Sequence, residues 1–237
     1  MSGNQDIFCG ATMDGTTILN RQDAGCSGAS TYTIYDALAG AYQGHVFAPA
    51  FGTVDEQSIR VWEDGLTIYG VTAAGTTPPA LRSFLQAKRS GKGVVDFGPA
   101  DNAPFSALTV ADGMVGNPLL SPDGRFFFYS RAGSSDAAND GFYMAQRDDP
   151  SLPFAAAATK LALSDFASGI SADDLTLFVQ TGYAVTPFTR VSPWVPFPSA
   201  ATGASIPGFR LQPLLDCKTV LGTCTGGCSN EDTCSIQ

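Results

Sequence analysis

Five times along the chain an apolar stretch ends in an acidic turn and another begins at once, and a repeat of this kind constrains the architecture more than any single motif. The copies are Cys9-GATM-Asp14-Gly15-TTIL, Ile59-RVWE-Asp64-Gly65-LTIY, Pro118-LLSP-Asp123-Gly124-RFFFY, Ser168-GISA-Asp173-Asp174-LTLFV and Leu211-QPLL-Asp216-Cys217-KTVL. Their aspartates, Asp14, Asp64, Asp123, Asp173 and Asp216, stand 50, 59, 50 and 43 residues apart. A second register runs in phase. A strand followed by Pro-Phe recurs in Phe142-YMAQRDDPSL-Pro153-Phe154 and Phe188-TRVSPWV-Pro196-Phe197, and Asn102-Ala103-Pro104-Phe105 closes a looser version. Asp-Gly suits a tight hairpin turn, because the aspartate bonds backbone N–H groups and the glycine takes positive φ. The stretches that follow are rich in Thr, Ile, Leu, Phe and Tyr, as half-buried strands require.

Helical signals are nearly absent. The one alanine run, Ala155 to Ala158, follows Pro153, and no segment holds a 3.6-residue period over three turns. Each repeat therefore reads as about four short antiparallel strands. Four-stranded repeats of this length pack radially to hide their sheet edges. The expected fold is all-β, a five-bladed β-propeller forming one domain over residues 1–237, with blades near 1–54, 55–113, 114–164, 165–206 and 207–237. The fifth copy stops about twenty residues after Asp216, too soon for four strands. Ring closure is therefore expected to use the N-terminal residues Gly3 to Phe8 or the C-terminal cysteine cluster.

The segments Asn117-PLLSPDGRFFFYS-Arg131 and Ser168-GISADDLTLFVQ-Thr181 resemble the WD40-like repeats of TolB-type propellers (PD40), whose signature is a short strand, Ser-Pro-Asp-Gly and a strand of alternating apolar residues. The likeness is close in the third copy and fair in the fourth. Elsewhere Ser-Pro is replaced by Thr12-Met13, Trp62-Glu63 and Leu214-Leu215. The resemblance implies the fold and leaves activity open, since such repeats serve many functions.

Thirteen basic residues against twenty-two acidic ones give a formal charge of -9. That balance opposes nucleic acid and anionic membranes, both of which require a Lys/Arg surface. No apolar run approaches the length needed to cross a bilayer. The six cysteines, Cys9, Cys26, Cys217, Cys224, Cys228 and Cys234, leave the middle of the chain empty. The C-x6-C-x3-C-x5-C spacing of the last four lacks the paired knuckles of common zinc sites, so disulfides are the preferred reading over metal. Local pairings are expected, such as Cys9 with Cys26 and two bridges within the terminal cluster. Disulfides imply an oxidising compartment, periplasmic or extracellular, and export implies that a leader preceding the polar Met1 to Asp6 stretch has been removed.

Chemistry-bearing residues are few. The lone His45 falls on an outer strand, remote from any channel, and no nucleophile elbow, phosphate loop or dinucleotide fingerprint occurs. Paired carboxylates from Asp6, Glu56 and Glu63 are the remaining enzymatic option. The repeated turn aspartates are explained by the fold alone. Asp136, Asn139 and Asp140 are dense in oxygen donors but fit no standard calcium loop, and read as a solvated turn. Aligning the first strands on their aspartates places Phe8, Ser58, Asn117, Ala167 and Arg210 at one position. Two residues later come Gly10, Arg60, Leu119, Gly169 and Gln212, which share a face with them because alternate residues of a strand do. Ser58, Arg60, Asn117, Arg210 and Gln212 are thus candidate polar groups near a narrow axis, where two arginines could take an anion or carboxylate. Trp194, between Pro193 and Pro196, is a candidate exposed platform for a sugar ring or a peptide. The longer second repeat predicts a loop within Lys88 to Gly116 overhanging one face.

The reading that follows is a monomeric, exported binding or interaction module for a small ligand, glycan or protein partner, with no cofactor, no metal, no catalytic residues, no nucleic acid and no membrane insertion. The alternatives are a carbohydrate-active enzyme working through two carboxylates near the channel, and a lectin.

Overall fold

A computed structural model describes residues 5–23, 31–47, 59–71, 83–108, 113–163, 166–181 and 184–207. It is all-β. Sheet 1 runs β1(Gln5–Ala11), β2(Thr17–Asp23), β3(Thr31–Leu38) and β4(Ala41–Phe47), and sheet 2 runs β5(Arg60–Val61), β6(Thr67–Val71) and β7(Phe84–Lys88). Sheet 3 comprises β8(Met114–Leu120), β9(Phe126–Ala132), β10(Gly141–Gln146) and β11(Thr159–Leu161); sheet 4 comprises β12(Phe166–Ile170), β13(Thr176–Thr181), β14(Ala184–Thr189) and β15(Ile206–Pro207). Every sheet is an antiparallel meander in chain order, so these are four-stranded units resembling propeller blades, with three strands of sheet 2 among the described residues. Among the described residues, two short 3-10 turns, Ala103–Leu108 and Ala137–Asn139, interrupt the strands. The fifth copy around Asp216 lies outside the described residues, as do Cys26, Cys217, Cys224, Cys228 and Cys234. No disulfide occurs among the described residues, where Cys9 is the one cysteine, so the expected bridges are not supported by this structure.

The repeated turn is longer than a two-residue Asp-Gly hairpin. The N–H of Gly15 bonds the carbonyl of Thr12, and Thr12 in turn pairs with Thr17, leaving four residues in the loop. The same pattern joins Gly65 to Trp62, Gly124 to Ser121 and Asp174 to Ser171, with strand pairs Trp62–Thr67, Ser121–Phe126 and Ser171–Thr176. This is a loop built on a type I turn that ends in a left-handed residue. The Ser of Ser-Pro-Asp-Gly has a mechanical role here. Ser121 Oγ donates to Asp123 at 2.7 Å and accepts from the Phe126 N–H at 2.9 Å; Ser171 and Thr12 do the same in sheets 4 and 1. Trp62 replaces that hydroxyl in sheet 2, where Asp64 instead takes the Leu66 and Thr67 N–H groups and the Thr67 hydroxyl. Hydrogen bonds from Thr12 first, then from Thr16, hold the Asp14 carboxyl down at about 2.

Glycine is required at the end of this loop. Gly124 has φ +73°, and a Cβ there would stand 2.7 Å from Cζ2 of Trp62 in the neighbouring sheet. Gly124→Ala should therefore destabilise the fold by more than about 1 kcal/mol, measured by chemical denaturation.

The sheets pack face to face in chain order, the inner strand β5 against β1 and β2, β8 against β6, and β12 against β8 and β9. Each junction has its own core. Leu19, Ile34, Phe47, Ile59, Val61 and Ile68 fill the first; Tyr69, Phe84, Phe105, Phe127, Tyr129 and Phe154 the second; Phe126, Phe128, Phe142, Met144, Leu177 and Phe197 the third. The run Phe126-Phe127-Phe128-Tyr129 is apolar without alternation because β9 is buried on both faces, Phe127 and Tyr129 towards sheet 2 and Phe126 and Phe128 towards sheet 4.

The long second repeat departs from the expected overhang. Arg89 pairs with Phe97, Gln86 pairs with Asp101, and the 3-10 turn tucks Phe105 and Leu108 into the second core, so this part of the insertion is packed rather than projecting.

Candidate functional site

In a meander the first and third connections emerge at the same end, so the aspartate turns and the segments after β7, β10 and β14 share one face. That face has a recurring lock that the sequence reading missed. Arg89, Arg147 and Arg190 each follow the third strand, each is buried, and each Nε donates to the carbonyl that ends its own sheet's turn: Gly65 at 3.1 Å, Gly124 at 2.7 Å and Asp174 at 2.9 Å. Each Nη1 also donates five residues onward, to Val94, Leu152 and Val195. The guanidinium lies over Phe97, Phe154 and Phe197 at 5.8, 4.3 and 4.3 Å. This explains the recurrent Pro-Phe and corrects its third member, since the aromatic equivalent in sheet 2 is Phe97 rather than Phe105. Sheet 1 has Ala37 at the arginine's position, and there the Tyr42 hydroxyl of β4 donates to the Gly15 carbonyl.

Neighbouring turns are also joined. Glu63 accepts the Met13 N–H through both oxygens at 2.8 and 2.9 Å, and Trp62 Nε1 donates to the Ser121 carbonyl at 3.0 Å. Burial raises the Glu63 carboxyl, and the Met13 N–H partly offsets this. With both oxygens engaged, Glu63 serves as a clamp between sheets 1 and 2. Arg89 makes a bidentate pair with the fully buried Asp36 of sheet 1, both contacts at 2.6 Å, and Asp36 also accepts from Thr17 and from the Gly93 N–H. Burial pushes the Asp36 carboxyl up, but these hydrogen bonds outweigh it and leave it below the usual range.

The junction of sheets 3 and 4 is different. Asp174 takes the turn-ending position with φ +59° where the other sheets have glycine, and only 4% of it is exposed. Its Oδ1 and the Nη2 of Arg190 are buried without a hydrogen-bond partner among the described residues. Burial first, then the charge of Asp123 and a hydrogen bond to it, push the Asp174 carboxyl up to about 7, against the opposing pull of Arg190. Burial likewise lowers Arg190 to about 10. Two acids from adjacent sheets thus meet at a place the sequence reading assigned to turn geometry alone.

Above this junction lies the exposed part of the face. Trp194 is 48% exposed, its ring against Phe126 at 5.3 Å and under the Arg125 guanidinium at 5.9 Å. Val191, Val195 and, from sheet 3, Leu152 are exposed at the same end, Val191 to 91%. The backbone beneath them is fixed, because Arg190 holds the Val195 carbonyl and Arg147 that of Leu152. Asp123, Asp148, Asp149 and Asp173 are exposed in the same turns and connections, with Arg125 as the exposed cation among them.

The candidate channel residues are only partly described. Ser58, Arg210 and Gln212 lie outside the described residues, as do Glu56 and the side chain of Asp6. Arg60 is on β5 opposite Tyr69, with its Nε buried and unpartnered among the described residues. Asn117 adopts φ +49° and donates to Ser130 Oγ at 3.0 Å. In β1, β8 and β12 the expected shared face fails, because these inner strands are bulged. Phe8 and Gly10 oppose consecutive residues Asn20 and Leu19, Ala167 and Gly169 oppose Val179 and Phe178, and the shift in β8 spans Asn117. An extra residue inverts the alternation beyond it. The acidic loop of sheet 3 supports itself: Asp136 caps Ala138, and Asp140 takes the Gly133 and Ser134 N–H groups. Among the described residues no cluster of His, Cys, Asp or Glu is arranged to hold a metal.

No protein-family model and no curated protein matches the chain. Solved structures do resemble it in fold. A 6-phosphogluconolactonase-like protein from Bacteroides fragilis aligns at 15% identity and TM-score 0.43, over 83% of this chain and 53% of its own. TolB from Acinetobacter baumannii aligns at 13% identity and TM-score 0.48, over 81% and 42%. A periplasmic gluconolactonase from Pseudomonas aeruginosa aligns at 14% identity and TM-score 0.42, over 83% and 69%. The chain spans about half the length of the first of these structures.

Proposed function

We propose that the chain is part or all of an exported, five-bladed propeller that acts as an interaction module, and that its contact face is the end of sheets 3 and 4 around Trp194. The observation that carries this is a half-exposed tryptophan with exposed Val191 and Val195, on a loop whose backbone is fixed by a buried arginine. Preorganised aromatic anchors of this kind dominate binding energy at interfaces. Four exposed carboxylates against one exposed arginine favour a partner segment carrying both basic and apolar side chains. The test is a peptide array in which basic-aromatic, acidic-aromatic and neutral sequences are compared, with neutral oligosaccharides as a separate arm. Basic-aromatic peptides should bind, and Trp194→Ala should weaken them by about tenfold or more without lowering the melting temperature. Equal binding by the variant removes the proposal, and loss confined to oligosaccharides replaces the protein partner with a glycan.

The buried, unpartnered Nε of Arg60 supports a second reading, in which a small carboxylate binds at the inner strands with Arg60, Asn117, Ser58, Arg210 and Gln212. A thermal shift with small carboxylates that vanishes in Arg60→Ala would favour it.

A further inference from the structure

We propose that the chain forms a two-fold dimer by pairing β4 with β4 of a second copy, antiparallel and centred on Gly44, so that sheet 1 continues into sheet 1 of the other copy. This replaces the monomer expected from sequence, and it does not depend on the function proposed for the Trp194 face.

β4 is the outermost strand of sheet 1, and no described strand pairs with its far edge. The outer edges of the other sheets are guarded in familiar ways, by shortness, charge or proline. β11 has three residues with the exposed Lys160 at its middle, and β15 has two, one of them Pro207. Beyond β7, sheet 2 continues among the described residues only as the isolated bridges Gln86–Asp101 and Arg89–Phe97. β4 has none of these guards. It holds seven residues, Ala41–Phe47, paired with β3 along its whole length without a bulge, and it contains no Pro, Asp, Glu, Lys or Arg. Val46 is 61% exposed on it. A long, regular, uncharged edge is a template for a further strand.

The preceding turn fixes which groups the edge offers. Ala39 and Gly40 have φ +51° and +83°, the pattern of a two-residue type I′ hairpin, so Leu38 and Ala41 form a hydrogen-bonded pair. Alternation then directs the N–H and C=O of Gln43, His45 and Phe47 at β3, and those of Tyr42, Gly44 and Val46 outward. In an antiparallel pair centred on Gly44, Tyr42 stands opposite Val46 of the second copy, Gly44 opposite itself and Val46 opposite Tyr42. Every outward group of one copy thus meets its complement in the other, as an isologous interface requires. The side chains agree with this register. Tyr42 and Val46 share a face by spacing, so the Tyr42 ring of each copy covers the exposed Val46 of the other as an aromatic and β-branched cross-strand pair. At the axis a Cβ on Gly44 would stand 2.5 Å from Cε1 of Tyr35, whose ring lies against the strand, so glycine leaves the centre of the edge open to close approach.

Charge and symmetry select the occupant. The chain carries a formal charge of -9, so two copies repel over most approaches, and a strand free of carboxylates and cations is where they can meet. A foreign strand would have to reproduce the Tyr42–Val46 spacing, which a second copy carries already.

The test is sedimentation velocity combined with amide hydrogen exchange on the intact chain, from micromolar to near-millimolar concentration. The sedimentation coefficient should rise from monomer to dimer, and the N–H groups of Tyr42, Gly44 and Val46 should gain protection over the same range. Val46→Lys, at an exposed position, should raise the dimer dissociation constant by about tenfold or more and leave the melting temperature of the dilute chain unchanged. Val46→Ile should dimerise as the parent does. A monomer at every concentration overturns the proposal: with the three amides protected, the chain itself covers the edge, and with them free the edge is open to a strand of another protein. A dimer that Val46→Lys leaves intact, or that forms without protecting these amides, joins through another surface and overturns it as well.

Discussion

Asp36→Ala should cost about 3–5 kcal/mol of unfolding free energy, because it leaves the Arg89 guanidinium buried between sheets 1 and 2 with its charge uncompensated. Both side chains are fully buried, so the charge has no route to water without opening the junction. Arg89 would keep its bonds to the Gly65 and Val94 carbonyls, which are dipoles and cannot replace a carboxylate. Urea denaturation of Asp36→Ala, Arg89→Met and the double variant measures the pair. The double variant should be less damaged than the two single losses added together, since no buried charge remains. A cost for Asp36→Ala below about 1 kcal/mol would mean that the junction is wet. The pH dependence has a definite sign. Asp36 is held below its ordinary value, so its contribution is present above the unfolded carboxylate range and lost as pH falls through the folded value. Asp174 runs the other way: its contribution is present below the unfolded value of 3.8 and lost as pH rises through about 7.

Phe127→Ala should cost about 3–5 kcal/mol, comparable to the ion pair and by a different mechanism. The ring is fully buried and lies within 4.8–6.4 Å, centre to centre, of Tyr69, Phe84, Phe105, Tyr129 and Phe154. Those neighbours come from sheet 2, its packed insertion and two parts of sheet 3, so no single shift can fill the void. Phe127→Leu should recover part of the loss, and denaturation midpoints of the two variants check this. If alanine and leucine cost the same, the site collapses readily and the second core is looser than its packing implies.

Much of the fold was legible because the repeat advertises its own turn. Ser-Pro-Asp-Gly identifies where a strand ends, and the strands on either side follow from the Phe, Ile and Thr pattern. The arginine lock was also written in the sequence, at Arg89, Arg147 and Arg190, but a lone basic residue at the end of a strand ordinarily reads as solvent-facing. Only the turn carbonyl opposite it, 24, 23 and 16 residues earlier, gives it a structural meaning. The inner-strand bulges carry no residue signature shared by Cys9, Asn117-Pro118 and Ser168, so counting by twos misplaced everything before them. Asp174 was hidden by its own motif, since an acid following an acid in a turn looks like a relaxed copy of Asp-Gly until the next sheet brings Asp123 against it. Trp194 was found because prolines on both sides keep it out of a strand.

The arginine lock also bears on how such a chain can grow and shrink. In sheets 2, 3 and 4 the donor and the carbonyl it secures belong to one continuous stretch of chain, so a duplicated stretch arrives with its fastening already inside it. Copies can be gained or lost without inventing a partner elsewhere, and each is free to change the residues it shows to solvent. Sheet 1 is fastened within itself as well, by Tyr42 of β4 on the Gly15 carbonyl, but the lock of sheet 2 draws its counter-charge from Asp36 of sheet 1. A copy of sheet 2 placed beside any other sheet would bury the Arg89 guanidinium without its carboxylate.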